Sequence, residues 1–215
     1  MTLGHNRIFL KSAAKDFKRT GAVAPSSRAL GTAMTRELVR NYRSPVRVLE
    51  VGGGTGNITA VIAEALRPED HLDVFEIDDE LSRVLRQRLA EEGCFRHVRS
   101  SVRVHNRPIE EIDPTSRYDY VISCLPFTCF RPAMVREILE VYRSILNPGG
   151  VCSFFEYILI RKAARFMTGN VLERARVTGV AQVVEEYARR YSYRRDIVFR
   201  NIPPAVVRHL RFTPD

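Results

Sequence analysis

The sequence contains no apolar stretch long enough to cross a bilayer, which takes about 18 or more consecutive apolar residues. Its longest apolar run, residues 151–160, is short and contains Glu156, so it predicts a buried strand. The first residues also lack a compact apolar segment followed by a small-residue cleavage site, and we expect no secretory signal. These absences favour a cytoplasmic protein.

Cysteine is scarce, and none of the four cysteines forms a CxxC pair or a zinc-like spacing with a histidine. We therefore expect free thiols in a reducing compartment and no metal. The Gly-Lys-Ser/Thr signature of a phosphate loop is also missing, which argues against a nucleoside triphosphate. The 215 residues show no internal repeat or long linker and suffice for one domain with short additions.

Basic residues are concentrated at the two ends of the chain, whose formal net charge is +9. Residues 1–47 hold 10 basic and 2 acidic side chains, residues 48–157 hold 12 and 18, and residues 158–215 hold 12 and 5. Thirty of the 34 basic residues are arginine, which suits bidentate phosphate contacts. The basic ends indicate a polyanionic partner, either nucleic acid or an anionic membrane surface.

Strand-like and helix-like segments alternate from residue 46 onward. The predicted strands cover residues 46–51, 72–77, 102–105, 118–124 and 151–158, and predicted helices run to about residue 66, over 80–92 and around 132–146. Such alternation is typical of a parallel sheet with helices on both faces. Residues 147–150 predict a turn and residues 161–190 a helix, whereas 193–200 and 206–212 predict a closing antiparallel hairpin.

Two helices are predicted before the sheet. Residues 7–19 place apolar side chains at helical spacing opposite a basic face, and such a helix can lie in a membrane interface. Gly21 ends it, and the serines of the next turn can cap a second helix at 27–41. We divide the chain into N-terminal helices at 1–45, which form a membrane anchor or lid, and a domain at 46–215 with a helical insertion at about 161–190.

The most informative motif is a glycine-rich loop between a predicted strand and a predicted helix. Residues 48–57 read VLEVGGGTGN, so Glu50 precedes Gly52, Gly54 and Gly56 at alternate positions. Glycines let the backbone turn sharply and approach a ligand closely. The spacing differs from the dinucleotide pattern Gly-x-Gly-x-x-Gly. Glu76, at the end of the second predicted strand, can accept both hydrogen bonds of a ribose diol.

On these residues, and over about 46–212, the sequence resembles the class I S-adenosylmethionine-dependent methyltransferases. The resemblance implies an α/β, three-layer Rossmann-like fold with a mostly parallel seven-stranded sheet and a C-terminal antiparallel hairpin. It implies that Glu50 and the loop hold the methionine part of S-adenosylmethionine, that Glu76 holds the ribose, and that residues 106–108 flank the adenine. The expected cofactor-binding residues are Ser26, Ser27, Glu50, Gly52, Gly54, Thr55, Gly56, Asn57, Glu76, Ile77, Asn106, Arg107, Pro108, Cys124 and Leu125.

The methyl acceptor is suggested by the segment Cys124-Leu125-Pro126-Phe127, where Pro126 restricts Leu125 to an extended conformation. The segment looks like a degenerate form of the Asn-Leu-Pro-Tyr motif of ribosomal RNA adenine dimethylases. Cys124 stands at the Asn position, and a thiol accepts hydrogen bonds poorly. This difference weakens the case for an adenine acceptor.

Residues 9–10, 20–28 and 201–205, together with Leu125-Pro126-Phe127, are similar to the bacterial phospholipid N-methyltransferases. Gly53 departs from the Gly-Pro-Gly that is usual in that family. The resemblance implies stepwise N-methylation of phosphatidylethanolamine toward phosphatidylcholine. We also expect a monomer that is peripherally associated with the inner face of the cell membrane. The candidate substrate-binding residues are Leu125, Pro126, Phe127, Tyr157 and Asn201.

The expected reaction is attack of a neutral amine on the sulfonium methyl, which depends mainly on positioning. Tyr157, at the end of the fifth predicted strand, is a catalytic candidate that can orient the amine with its oxygen or its ring face. Asn201 is the second candidate and can bond the headgroup. Two alternatives remain: an RNA adenine N6-methyltransferase, which the basic ends also suit, and a non-catalytic membrane-binding protein.

Overall fold

The computed structural model describes residues 26–43, 45–158 and 171–212. The strands are β1 (Arg47–Val51), β2 (His71–Phe75), β3 (Val102–His105), β4 (Tyr118–Ser123), β5 (Leu146–Tyr157), β6 (Ser192–Val198) and β7 (Ala205–Arg211). The α-helices are α1 (Arg28–Met34), α2 (Arg36–Arg40), α3 (Asn57–Ala65), α4 (Asp79–Glu91), α5 (Pro132–Ile145) and α6 (Val171–Tyr191). No helix in these ranges has both the length and the apolar character that a bilayer span requires.

The strands form one sheet in the order β3-β2-β1-β4-β5-β7-β6. Strands β1 to β5 pair in parallel, whereas β7 is antiparallel to both β5 and β6. The carboxyl ends of the five parallel strands therefore meet at one edge of the sheet, which we call the carboxyl edge. The turn between β6 and β7 lies at the same edge. The predicted fold class is confirmed.

Each face of the sheet is covered by its own apolar layer. Alternate strand residues point to opposite faces, so Val48 packs on one side of β1 and Leu49 on the other. One layer contains α5 and α6, and the other contains α1, α2, α3 and α4. Since both faces are buried, the central strands carry nearly continuous apolar runs, which explains why they were recognisable in the sequence.

Several element boundaries differ from the prediction. The helix expected at 27–41 is broken at Thr35, whose hydroxyl donates to the Gly31 carbonyl (3.0 Å) and whose backbone ends α1. Strand β2 ends at Phe75, so Glu76 and Ile77 follow it. The turn expected at 147–150 is a bulge within β5. It arises because Leu146 already pairs with Tyr118 before the chain rejoins the ladder at Val151.

Two predictions concern residues outside the described ranges. The basic amphipathic helix expected at 7–19 lies entirely outside them, and so does the first part of the insertion expected at 161–190. The described part of that insertion, from Val171 onward, forms α6, as predicted.

A buried polar network connects the antiparallel strands. His209 of β7 shares a hydrogen bond of 2.8 Å with the Ser153 hydroxyl of β5 through Nδ1, and one of 3.1 Å with Asp196 of β6 through Nε2. Asp196 in turn pairs with Arg194 at 3.1 Å. Burial lowers the pKa of His209 and favours the neutral ring. The network cross-links three strands and holds the β6–β7 hairpin against β5.

Candidate active site

The glycine loop runs from the end of β1 to the start of α3 at the carboxyl edge. The N–H groups of Gly52 and Gly53 donate to the Phe75 carbonyl, at 2.8 and 3.3 Å, which ties the loop to the end of β2. Gly52, Gly54 and Gly56 have φ of +82°, +56° and +88°, in the left-handed region that disfavours other residues. The alternate glycines of the motif therefore match three backbone positions that require glycine.

The loop has a packed side and an open side. A Cβ atom on Gly53 would lie 2.4 Å from Val74 Cγ1, and one on Gly56 would lie 2.7 Å from Leu85 Cδ1. A Cβ atom on Gly54 would meet nothing within 4 Å. The loop therefore packs closely on β2 and α4, and the Gly54 side faces space that a ligand can occupy.

Arg88 of α4 clamps the start of α3, a contact that no sequence signal had indicated. Its Nη1 donates to the Thr55 carbonyl and, at 3.0 Å, to Asn57 Oδ1. The side-chain oxygen of Asn57 therefore anchors the loop, whereas the Thr55 side chain is exposed. Both residues lie in the expected loop, and their contacts with a cofactor stay predictions.

Glu50 lies at the floor of this loop and is fully buried, at 0% exposure. Its Oε1 accepts a long hydrogen bond from Cys124 Sγ (3.9 Å), and its Oε2 has no hydrogen-bond partner among the described residues. Burial raises the pKa of Glu50 to about 8. The neighbouring Thr59 hydroxyl and Cys124 thiol partly oppose this rise, and the charge of Glu76 adds to it. A buried oxygen without a donor is rare, and a cationic ligand would satisfy it.

Glu76 holds the loop from the other side. Its Oε2 accepts from the Gly54 N–H and its Oε1 from the Asp78 N–H, both at 2.8 Å. Asn106, after β3, donates from Nδ2 to the Glu76 carbonyl at 2.9 Å. The structure thus brings Glu50, Glu76 and Asn106 together around the loop, as the sequence analysis expected. The Glu76 carboxylate beside Gly54 is suited to accept hydrogen bonds from a ribose.

The residues expected beside adenine surround the end of β2. The Arg107 guanidinium lies 5.4 Å from the centroid of the Phe75 ring, and that ring stacks on His105 at 4.7 Å. Pro108 is buried and starts a 3-10 turn, and Ile77 is half-buried against the core. Phe75 and His105 are therefore neighbours of this site that the sequence analysis had missed, since they read as ordinary strand residues.

The segment after β4 is divided between the site and the core. The Cys124 N–H donates to the Val51 carbonyl at 2.7 Å, and Leu125 Cδ2 would lie 3.1 Å from a Cβ atom on Gly52. Pro126 leads into a 3-10 turn whose first residue, Phe127, is buried and packs on the Phe154 ring at 5.3 Å. Cys124 and Leu125 thus border the loop, whereas the Phe127 ring supports the core.

Tyr157 ends β5 at the carboxyl edge and is buried. Its Oη has no hydrogen-bond partner within the described part of the chain. Burial raises the pKa of Tyr157 to about 12, with a smaller contribution from Cys124 and partial opposition from the nearby Asn201 side chain, so the phenol stays protonated at neutral pH. The ring packs edge-on against Phe155 at 5.1 Å. This buried hydroxyl is a second polar group that a ligand would satisfy.

Asn201 connects the β6–β7 turn to the start of α1. Its Oδ1 accepts from the Ser27 N–H at 3.0 Å, and its Nδ2 donates to the Pro203 carbonyl at 2.8 Å. Ser27 Oγ accepts from the Leu30 N–H at 3.2 Å, so Ser27 caps α1 as predicted. Ser26 is half-buried beside it. The contacts of Asn201 are those of a positioning residue, and direct bonding to a headgroup stays a prediction.

The charge state of Glu50 predicts how binding of S-adenosylmethionine, the cofactor expected from the sequence, depends on pH. Because the pKa of Glu50 in the free protein is raised to about 8, the carboxylate that attracts a cation forms only as the pH rises through that value. Affinity should therefore strengthen with pH below 8, by at most about tenfold per unit, with release of a proton. Calorimetric titration in buffers of different ionisation enthalpy measures both effects.

Glu50→Gln should bind more weakly and lose the pH dependence, whereas Glu186→Gln, on the exposed surface, should behave as the wild type. An unaltered pH profile in Glu50→Gln would assign the titration to another group.

The open side of Gly54 predicts a selective effect of a methyl group at that position. Gly54→Ala and Gly149→Ala both place alanine at a positive φ, +56° and +80°, with nothing within 4 Å of the new atom. Each should lose about 1–2 kcal/mol of unfolding free energy. Only Gly54→Ala should also weaken cofactor binding, because Gly149 lies in the β5 bulge. Equal affinities for the two variants would show that the Gly54 side is not the binding surface.

The fold is shared with solved methyltransferase structures. The O-methyltransferase TomG from Streptomyces achromogenes, solved with S-adenosylmethionine, aligns over 95% of this chain and 90% of its own, with a TM-score of 0.64 and 20% identity. An O-methyltransferase from Bacillus cereus in complex with S-adenosylhomocysteine covers 94% and 90%, with a TM-score of 0.62 and 15% identity. These likenesses show the fold.

The family is shown by the sequence comparisons. Residues 49–152 match a methyltransferase domain family. The chain is also 30% identical to an ornithine lipid N-methyltransferase from Singulisphaera acidiphila over 207 residues, which cover 92% of this chain and 91% of the relative. The matched domain contains Glu50, the glycine loop and Glu76. The chain therefore belongs to the S-adenosylmethionine-dependent methyltransferases of the class I fold.

Proposed function

We propose that the protein N-methylates the primary amine of a membrane lipid. The observation that carries the proposal is the match over 92% of the chain to a relative named as a lipid N-methyltransferase. The first candidate acceptor is phosphatidylethanolamine, with its mono- and dimethyl forms, which are converted stepwise toward phosphatidylcholine. The candidate comes from the resemblance carried by residues 9–10, 20–28, 125–127 and 201–205.

The site supports an amine as the acceptor. An amine that has lost its proton to solvent carries its own lone pair, so it needs no strong general base. The Tyr157 hydroxyl, whose pKa is raised to about 12, keeps its proton at neutral pH and is not available as a general base, but its oxygen can accept a hydrogen bond from an N–H group. In this proposal Tyr157 orients the amine and Asn201 positions the segment around it. Catalysis then comes from positioning.

Glu50, the glycine loop and Glu76 hold the cofactor in this proposal, consistent with the unpartnered Glu50 Oε2 and the open side of Gly54. S-adenosylmethionine supplies an electrophilic methyl group and leaves as S-adenosylhomocysteine. The two acidic side chains of the site, Glu50 and Glu76, suit a ligand that carries a sulfonium, because a cation favours the ionised form of a nearby carboxyl group. The acidic residues of the segment 48–157 thus serve the cofactor, whereas the basic ends serve the lipid surface.

A second candidate acceptor is an ornithine lipid, which also presents a primary amine. It is favoured by the name of the Singulisphaera acidiphila relative, an ornithine lipid N-methyltransferase. The two lipids differ in the groups around the amine, since phosphatidylethanolamine carries a phosphate and an ornithine lipid carries an amino-acid headgroup. The same site chemistry serves both acceptors.

We further propose that the enzyme acts as a monomer at the inner face of the cell membrane, with residues 1–20 as an anchor. The segment carries five basic residues and one acidic residue, and its apolar positions recur at helical spacing. This arrangement gives access to a substrate that does not leave the bilayer.

Methyl transfer from labelled S-adenosylmethionine tests the proposal directly. Vesicles containing phosphatidylethanolamine, vesicles containing an ornithine lipid, and RNA form the three arms. We expect label in one or both lipids and none in RNA. Methyl transfer to RNA alone would replace the proposal with an RNA adenine N6-methyltransferase. Transfer to none of the three acceptors would favour a non-catalytic membrane-binding protein that has kept the cofactor-binding fold.

Removal of the Tyr157 hydroxyl should slow turnover and leave cofactor affinity unchanged. Tyr157→Phe keeps the ring contact with Phe155 and deletes a single hydrogen-bonding group, so we expect kcat to fall about tenfold or more. Tyr120→Phe is the matched control, since Tyr120 pairs with Val48 near the start of β1, away from the carboxyl edge, and its hydroxyl donates to the Asn41 carbonyl. Wild-type turnover in a folded Tyr157→Phe variant would remove Tyr157 from the mechanism.

A further inference from the structure

Two large apolar side chains project into solvent from the turn between β6 and β7, residues 199–204, which we call the hairpin tip. Phe199 is 74% exposed and Ile202 is 78% exposed, and Arg200, also exposed, stands between them. Turns between strands usually carry polar residues and glycine. Large apolar side chains exposed close together mark an interaction site.

The hairpin tip lies beside the candidate active site. Tyr157 pairs with Ala205 in the β5–β7 ladder, so the residues just before Ala205 adjoin the end of β5. The Ile158 N–H also donates to the Pro204 carbonyl at 3.0 Å. A surface that binds the hairpin tip would therefore be held at the carboxyl edge, next to the unpartnered Tyr157 hydroxyl.

The hairpin tip is held in place by buried groups. Asn201, between the exposed Arg200 and Ile202, is only 2% exposed, and its amide bonds the Ser27 N–H and the Pro203 carbonyl. The network through His209 fixes the strands below it. Because the hairpin tip is already ordered, it loses little conformational entropy when it binds a surface.

The charge around the hairpin tip suits an anionic surface. Arg195 on β6 and Arg200 are exposed. Basic residues at an interface gain energy from anionic lipids. Two copies of the hairpin tip would instead bring their exposed arginines, which carry the same charge, close together.

We propose that the hairpin tip docks the carboxyl edge on an anionic bilayer, with Phe199 and Ile202 in the interfacial layer and Arg200 on the headgroups. The inference rests on the proposed function, since a lipid acceptor has to reach the site from a bilayer. It adds a membrane contact within the folded domain to the N-terminal segment expected from the sequence. Aromatic and aliphatic side chains next to a cation are suited to such an interface.

Fluorescence can test the contact, because the chain contains no tryptophan. In the full chain, Phe199→Trp places a single probe in the hairpin tip. With vesicles of phosphatidylglycerol and phosphatidylcholine, we expect its emission to shift to the blue and to be quenched by brominated acyl chains. The matched control is Val39→Trp, because Val39 is 60% exposed in α2. It lies two residues before Asn41, whose carbonyl accepts from the Tyr120 hydroxyl near the start of β1, away from the carboxyl edge.

The control emission should not change on the same vesicles. An unchanged Phe199→Trp emission on vesicles that sediment the protein would overturn the proposal. So would a shift that follows protein concentration without vesicles, which would assign the hairpin tip to a second copy of the chain.

Vesicle binding measured without the cofactor tests the docking contact independently of methyl transfer. The double variant Phe199→Ser, Ile202→Ser should bind vesicles at least about tenfold more weakly, whereas Val39→Ser should bind as the wild type. Cofactor affinity and the thermal midpoint, measured on the same samples, establish that both variants are folded. Wild-type vesicle affinity in the double variant would overturn the docking proposal, even if lipid methylation were observed. If vesicle binding depended on the hairpin tip but no lipid were methylated, the docking proposal would be supported and the proposed function would be wrong.

Discussion

Two hydrogen bonds from the glycine loop to the end of β2 determine the form of the candidate site. The Gly52 N–H bonds the Phe75 carbonyl and the Gly54 N–H bonds Glu76, both at 2.8 Å. They fold the loop over the carboxyl edge and leave one side of it open. Glycine adopts the left-handed conformation without a steric penalty, and these bonds hold Gly52 and Gly54 in it. The cofactor surface depends on this closure.

Burial then sets the charges of the site. Glu50 is carried on a central strand, where its pKa is raised to about 8 because water cannot reach the carboxylate. Glu50 is therefore mainly protonated in the free protein at neutral pH, and the binding of a cation favours its ionisation. Tyr157, at the neighbouring strand end, has its pKa raised to about 12 for the same reason and remains a neutral hydroxyl. Both groups are therefore mainly protonated at neutral pH in the free protein, and only Glu50 has a pKa low enough to ionise when a cation binds.

Asn201 links the site to the surface of the molecule. Its amide joins α1 to the β6–β7 turn, and this turn adjoins Tyr157 through the β5–β7 ladder. One buried side chain thus fixes the start of α1 and the hairpin tip relative to each other, next to Tyr157 at the end of β5. An amide suits this position because it donates and accepts at the same time.

Much of the fold could be predicted because its signals are local. Both faces of the central strands are covered, so their residues form apolar runs, and the loop needs glycine at three left-handed positions, which the motif displays. The bulge at 147–150 and the break at Thr35 were missed, since each depends on pairing or bonding that competes with local preference.

The sequence by itself determined the alternation of strands and helices, the glycine loop and the partnership of Glu50 with Glu76, because those features recur at fixed short spacings. Only the tertiary structure decided that Arg88 clamps the loop, that Phe127 packs in the core and that Asn201 joins two distant segments. It also decided that Phe199 and Ile202 project beside the site. The physical reason is that these contacts join residues far apart in the chain, and sheet order, which brings them together, leaves no periodic mark in the sequence.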